Sequence, residues 1–394
     1  MKVLQINATY KAGSTGSIVC LISEMLDRHG IDNAVVCQHY SGKDKNVFGI
    51  SSPLDMKLHA LLSRISGKNA AFSMRATKKL FRIIDNFAPD VVHLHNLHNN
   101  YVNLKMLLDF LGKKQIKTVI TLHDCWFFTG KCTHFAKCGC GAWETGCGNC
   151  PQLKGDISSW LFDKTDLVWQ EKQFGFSSIK NLSVVGSSDW IADLARRSLL
   201  KNGKISTIHT GIDTAVFTPL GDSAREELGL DGKFVVLGMA NKWLMEENAE
   251  ILNNFINSTP ESYHLVLVGA KGENTEKVTF IDFVSDKASL ARIYRTADVF
   301  VNTTFEDTLP TVNIESLGCG TPVITYDSCG SGEIVGEGCG YVVPQLDFSA
   351  LLEALERIEK SGKGAYSENC RKHICENYNS ETQYEKYLEI YKGD

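Results

Sequence analysis

No apolar run in this 394-residue chain reaches the ~18–20 residues that a membrane span needs. The opening residues, MKVLQINATY, lack the long apolar core of a secretory signal and read instead as a first β-strand. Basic charge is not in excess: 41 Lys and Arg stand against 46 Asp and Glu, and the net charge of −5 excludes general nucleic-acid binding. Internal repeats and low-complexity tracts are absent. No GxGxxG follows the first strand, so the dinucleotide fingerprint is missing. The thirteen cysteines make an odd number, against a disulfide framework. A cytoplasmic location is expected, where thiols stay free or bind metal.

What is present is α/β. At 43% apolar the chain is globular, and its length exceeds one core and fits two domains. KVLQIN, NAVVC, DVVHLHN, KTVITLHD and LSVVGSS read as buried parallel strands, as do KISTIH, KFVVLGMAN, HLVLVGA, DVFVNTT and PVITY further on. Strands alternating with helical stretches imply right-handed βαβ units and two Rossmann-like domains. We place the first at 1–185, with a Cys-rich insertion at 132–150. The second runs over 186–375, and a last helix in 376–394 returns to the first. Ligands of open α/β sheets bind at the carboxyl ends of the strands, and two such edges facing each other would form a central cleft.

Residues 305–334, FEDTLPTVNIESLGCGTPVITYDSCGSGEI, carry the strongest functional pattern. Asp307 lies in a polar loop, and Glu315, eight positions on, lies in an apolar helical run. A loop entering a helix gathers free N–H groups and partial positive charge, which suits a diphosphate. A carboxylate one turn into that helix can accept both hydroxyls of a ribose. Near the N-terminus, Gly13 and Gly16 in TYKAGSTGS allow the backbone to approach a phosphate or sugar. His123, in TLHD, ends a buried strand and can donate to a sugar hydroxyl or a phosphate oxygen. His93, His95 and His98 read as mainly structural.

The cysteine cluster CTHFAKCGCGAWETGCGNCP is the chief oddity. Cys147 and Cys150 form a tight pair of zinc-gripping type, with Cys132 and Cys140 to complete a tetrahedron and Cys138 or His134 as substitutes. Such a closed site would be structural. From Lys57 to Arg82 runs a basic stretch without an acidic residue, with Leu58, Leu61, Leu62 and Ile65 at helical spacing. It fits an anionic membrane surface or a lipid pyrophosphate, and equally a solvated helix face.

These residues resemble a known family. HTGIDTAVFTP is similar to the NGID-x-x-x-F-x-P joint of family-4 retaining glycosyltransferases, and IYRTADVFVNTTFEDTLPTVNIESLGCGTPVI to their donor-site signature. TLHDCWFFTGKC with WETGCGNCPQL resembles a bacterial branch that builds capsule, O-antigen and colanic-acid-like polysaccharides. The resemblance spans nearly the whole chain. It implies a GT-B fold, no catalytic metal and transfer of a hexose from UDP- or GDP-sugar to a glycan or lipid-linked glycan, with anomeric retention. Carried over, Glu315 holds the ribose, and Thr308, Leu309, Pro310 and Thr311 offer backbone groups to sugar and diphosphate. Val284 meets the base, Gly13 and Gly16 lie beneath the phosphates, and His123 is the cleft histidine. Asp307 replaces the first acid of the family's E-x7-E pattern. In MANKWLMEENAE, Glu246 and Glu247 stand where a lysine is expected, leaving Lys242, helped by Arg196 or Lys201, to balance the leaving diphosphate. The competing readings are a non-catalytic sugar-nucleotide or glycan-binding protein and a nucleotide-sugar epimerase.

Overall fold

In the computed structural model, which describes residues 1–393, the chain divides into two compact units. The first comprises Met1–Ile208 and the C-terminal segment from Tyr384, and the second is His209–Gln383.

The strands of the first unit are β1 (Lys2–Ile6), β2 (Asp32–Cys37), β3 (Val47–Gly49), β4 (Val91–Leu94), β5 (Lys117–Leu122), β6 (Leu182–Gly186) and β7 (Lys204–Thr207). They form one parallel sheet in the order β3-β2-β1-β4-β5-β6-β7. The apolar, β-branched runs of the inner strands β4, β5 and β6 are buried almost end to end, as expected of strands covered by helices on both faces. The unit extends to 208 rather than stopping at 185. KISTIH supplies the edge strand β7, which pairs with β6 from Ser183↔Lys204 to Gly186↔Thr207 instead of opening the second sheet.

The second unit holds β8 (Phe234–Met239), β9 (Tyr263–Val268), β10 (Val278–Ile281), β11 (Val299–Asn302), β12 (Val323–Tyr326) and β13 (Gly340–Val343). Their order is β10-β9-β8-β11-β12-β13, again all parallel. In each sheet the order reverses once, between β1 and β4 and between β8 and β11. At such a switch point the two following loops diverge and leave a crevice at the carboxyl edge.

The last helix, Ser380–Lys392, places Tyr384, Tyr387 and Tyr391 on one face by its 3–4-residue spacing. In the first unit those rings bury against Val3, Met25, Val91 and Val119. In the second unit Trp243 is fully buried, and its Nε1–H donates to Val301 O at 3.1 Å. Gly238 makes room for it, because a Cβ there would lie 2.1 Å from Trp243 Nε1. Gly238→Ala is therefore expected to expel the indole and cost about 1–3 kcal/mol, the usual range for overpacking. An unchanged melting temperature with unchanged tryptophan fluorescence would refute this packing.

Candidate active site

The loop after β1 enters the helix Gly13–Arg28, whose cap residue Ala12 offers no side-chain bond to the first-turn N–H groups. Gly13 is exposed and takes φ +69°, a left-handed conformation that glycine adopts without strain. Gly16 serves packing: a Cβ there would lie 2.7 Å from Thr9 Oγ1. Asn7 joins the two switch-point loops, with Nδ2 donating to Thr9 O at 2.8 Å and Oδ1 accepting from Asn96 N–H at 3.1 Å.

His123 follows β5, and a line of buried groups fixes its protons. Gln5 Nε2 donates to Val19 O and Ser23 Oγ, so Gln5 Oε1 faces His95 Nε2 at 3.2 Å as an acceptor. His95 must therefore carry its proton on Nε2. Burial pushes the His95 pKa well below its usual value and keeps the ring neutral, so Nδ1 is bare. His123 Nε2 lies 3.0 Å from that nitrogen and donates to it. Burial also lowers the His123 pKa to about 4, so at neutral pH its remaining Nδ1 is a bare acceptor. The ring can accept a hydrogen bond from a hydroxyl, but it has no proton left for a phosphate oxygen, which narrows the expectation from the sequence. His93, also neutral by burial, bonds Tyr391 Oη and Thr121 Oγ1, both at 2.7 Å.

The segment after His123 is pinned from several sides. Burial works to raise the Asp124 pKa, but the hydrogen bond and charge of His98, at 3.0 Å, and the Trp126 N–H hold it below the usual range. Trp126 Nε1 donates to Asn69 Oδ1 at 2.8 Å. Buried Lys172 donates to the carbonyls of Trp126 and Thr129, its Nζ 3.8 Å from the Trp126 ring centroid.

In the second unit, Lys242 follows β8 at the switch point, partly exposed and with no ion pair among the described residues. Asn248 sets the path of its loop: Nδ2 donates to Lys242 O and Thr303 O, each at 2.9 Å, and Oδ1 accepts from Tyr326 Oη at 3.0 Å. Glu246 and Glu247 are exposed. Across the switch, Asp307 Oδ1 accepts from Leu309 N–H at 3.2 Å, and its carbonyl accepts from Gly330 N–H at 3.1 Å. Thr308, Leu309 and Pro310 are buried, and the Thr308 hydroxyl has no partner. Pro310 caps the helix Thr311–Gly318 without a side-chain bond. Glu315, one turn in, accepts from Tyr294 Oη at 3.0 Å; burial raises its pKa to about 7, and that bond opposes the rise. Val284 follows β10, partly buried against the core.

Arg196 is not brought to a strand carboxyl edge. It lies in the last turn of the helix Asp189–Arg197, paired with Asp193, about 10 Å along the axis from the end that leaves β6. A crossover helix runs antiparallel to its strands, so its last turn returns to the opposite edge. Cys132, Cys140, Cys147 and Cys150 line one small cavity, away from which Cys138 is exposed. Gln5, Asn7, His95 and Asn248 were not singled out as site residues from the sequence. Only the alternation of His93 and His95 hinted at a buried polar line.

Residues 16–216 match the model of Glycosyltransferase Family 4, half of the chain, and residues 232–361 match that of Glycosyl transferases group 1. The chain therefore belongs to Glycosyltransferase Family 4, with a GT-B fold. Among curated proteins it is similar to the colanic acid biosynthesis glycosyl transferase named WcaC of Escherichia coli K12, 25% identical with all of both chains covered. Among solved structures it is similar to sucrose-phosphate synthase from Thermosynechococcus elongatus, with a TM-score of 0.71 and 18% identity over 99% of this chain and 98% of that one. HepE of Anabaena, solved in complex with UDP, has a TM-score of 0.67 and 16% identity over all of both chains.

Nitrogen-15 NMR of histidine-labelled protein should show His123 neutral, with a protonated Nε2 and a bare Nδ1, from pH 8 down to about 4. A ring that charges near pH 6.5 would overturn the assigned tautomer.

Proposed function

We propose that this glycosyltransferase moves a hexose from a nucleotide diphosphate sugar to a hydroxyl of a lipid-linked glycan during surface-polysaccharide synthesis, with retention and without a catalytic metal. The observation that carries the reading is Glu315, one turn into an uncapped helix at the switch point, preceded by Asp307 and the loop 308–311. Glu315 accepts the ribose hydroxyls, and the N–H groups of Thr308 and Thr311, with Lys242, balance the diphosphate. Val284 lies against the base. His123 accepts from a hydroxyl of the transferred sugar through Nδ1. The polysaccharide role is supported by the printed name of WcaC, and a nucleotide donor by HepE with UDP. Retention without a protein nucleophile fits a front-face route, in which the departing phosphate takes the acceptor's proton. Catalysis then rests on positioning and leaving-group stabilisation. Lys242, partly exposed and without an ion pair among the described residues, favours an enzyme over a binding protein that lost its clamp.

A lipid-linked acceptor fits the surface of the first unit. Ser52 and Asp55 form a capping box that starts the helix Pro53–Ser66. That helix exposes Leu54, Leu58 and Leu61, and the next, Met74–Phe87, begins at Met74, 61% exposed. Trp160, Leu161 and Phe162 are exposed as well, and Trp160 N–H donates to Arg64 O at 2.7 Å beside them. Apolar side chains among Lys57, Arg64, Lys68, Arg75 and Lys78 suit an anionic bilayer surface, each cation adding about 1 kcal/mol near the lipid. No described helix is long and apolar enough to cross a membrane. We assign the protein to the inner face of the plasma membrane.

Two measurements test this reading. Calorimetry with UDP and GDP should show one of them binding, with affinity falling as pH drops from 8 to 6, because free Glu315 titrates at about 7 and the ribose needs its ionised form. Glu315→Ala should lose on the order of 100-fold or more, since each charged hydrogen bond contributes about 1.5–3 kcal/mol. Unchanged affinity in that variant rejects the ribose site. In the second, the protein should pellet with phosphatidylglycerol vesicles and not with phosphatidylcholine, and Leu58→Asp with Leu61→Asp should release it. Equal recovery from both vesicle types removes the membrane surface.

A further inference from the structure

Between Phe128 and Thr165 the first unit has no strand and no helix beyond the single turn Ala142–Glu144. Irregular stretches above ~12–15 residues are uncommon in a compact domain and need something to order them. Phe135 and Trp143 from this stretch are buried, their ring centroids 5.0 Å apart, and Trp143 lies 5.2 Å from Phe128. Next to those rings is a cavity of about 20 Å³. A site needs at least ~10–15 Å³ to hold one atom-sized guest, so this one has room for little more. Its wall includes Cys132, Cys140, Cys147 and Cys150, with Lys131.

The sulfurs are already engaged with one another. Cys132 and Cys150 are hydrogen-bonded, and Cys147 is within electrostatic reach of both Cys140 and Cys150. Gly130 N–H donates to Cys147 Sγ at 3.1 Å, the kind of backbone bond that orients a thiolate ligand. No three of the sulfurs lie within 4.8 Å of one another. A tetrahedral zinc site, with Zn–S of ~2.3 Å, sets them ~3.8 Å apart, so closure takes side-chain rotation around a cavity that the backbone already encircles. Cys138 is excluded, because its thiol is exposed and donates to Phe135 O at 3.2 Å. Lys131 and Lys172 offset the charge. Lys131 is held by the carbonyls of Gln152 and Leu153, and Lys172 acts on both Cys147 and Cys132.

We propose that Cys132, Cys140, Cys147 and Cys150 hold one structural zinc ion that closes this loop over the Trp143 ring. On loading, four S–H protons leave and four Zn–S bonds form, with no change in oxidation state. Four protein ligands leave no open position, so the ion takes no part in glycosyl transfer, and the site stands or falls independently of the proposed reaction.

Elemental analysis of the full chain, purified under reducing conditions without added metal, should find one zinc per chain. Cobalt(II) exchange should give thiolate-to-metal charge-transfer bands with tetrahedral d–d bands. Cys138→Ser should keep the zinc, and Cys147→Ser should lose it. If Cys147→Ser does not fold, the zinc content and cobalt spectrum of the unsubstituted protein still decide. Four native thiols that react freely with no metal present, iron in place of zinc, a Cys132–Cys150 disulfide in non-reducing mass spectrometry, or loss of zinc in Cys138→Ser would each overturn the assignment.

Discussion

A parallel strand cannot be joined to its neighbour by a tight turn, and this constraint shapes both units. Most connections within a sheet cross it through a helix, and β2–β3, β9–β10 and β12–β13 are joined by longer loops or a single 3-10 turn, so the carboxyl edge of each sheet collects loops that no strand pairing holds in place. Where the strand order reverses, two of those loops part, and here both partings are lined by groups of chemical interest. In the first sheet they are the loops after β1 and β4, joined by Asn7, with His123 one strand further along. In the second they are the loop bearing Lys242 and the one that leads to Glu315, joined through Asn248. An asparagine suits both junctions, since its amide donates and accepts at once and can satisfy two backbones that no longer pair with each other.

The same demand for satisfied polar groups explains the histidines. A buried imidazole without a carboxylate partner stays neutral, and a neutral ring has one donor and one acceptor. Gln5 supplies the asymmetry that orders the line: its amide nitrogen is held by Val19 and Ser23, so its oxygen must face His95. One proton assignment then propagates through His95 to His123. The His123 ring is thus governed by a residue on the first strand of the sheet.

Much of this was legible in the chain. Fully buried parallel strands read as apolar runs because both faces are covered, and all five expected in the first half are present. KISTIH was assigned to the wrong sheet because a four-residue edge strand carries no mark of its partner. Arg196 reads well as a nearby cation until the direction of its helix is known. The histidine line was invisible because Gln5, His95 and His123 lie on three different strands or their ends, 90 and 28 residues apart. Likewise, Trp160 joins the basic, apolar helix only through the fold, whereas the cysteine cluster is plain in the sequence, and the proposed choice of Cys140 over Cys138 comes from the coordinates.

In the proposed reaction, Glu246 and Glu247 oppose the groups that would stabilise the leaving diphosphate. With His93, His95 and His123 neutral, the groups that the proposed reaction sets against a leaving diphosphate at the second switch point are the helix N-terminus at Thr311 and the Lys242 ammonium. A helix end contributes about 0.3–1 kcal/mol when exposed and up to ~2 when partly buried. A lysine at ~4 Å in an effective dielectric of ~20 interacts by about 4 kcal/mol. The lysine is therefore the larger contributor, and its partly buried setting weakens screening. Glu246 and Glu247 are exposed, where salt damps charges over ~8 Å. Two screened acids subtract less than one poorly screened lysine adds, so in the proposed reaction the departure at 246–247 would weaken the phosphate clamp without reversing its sign.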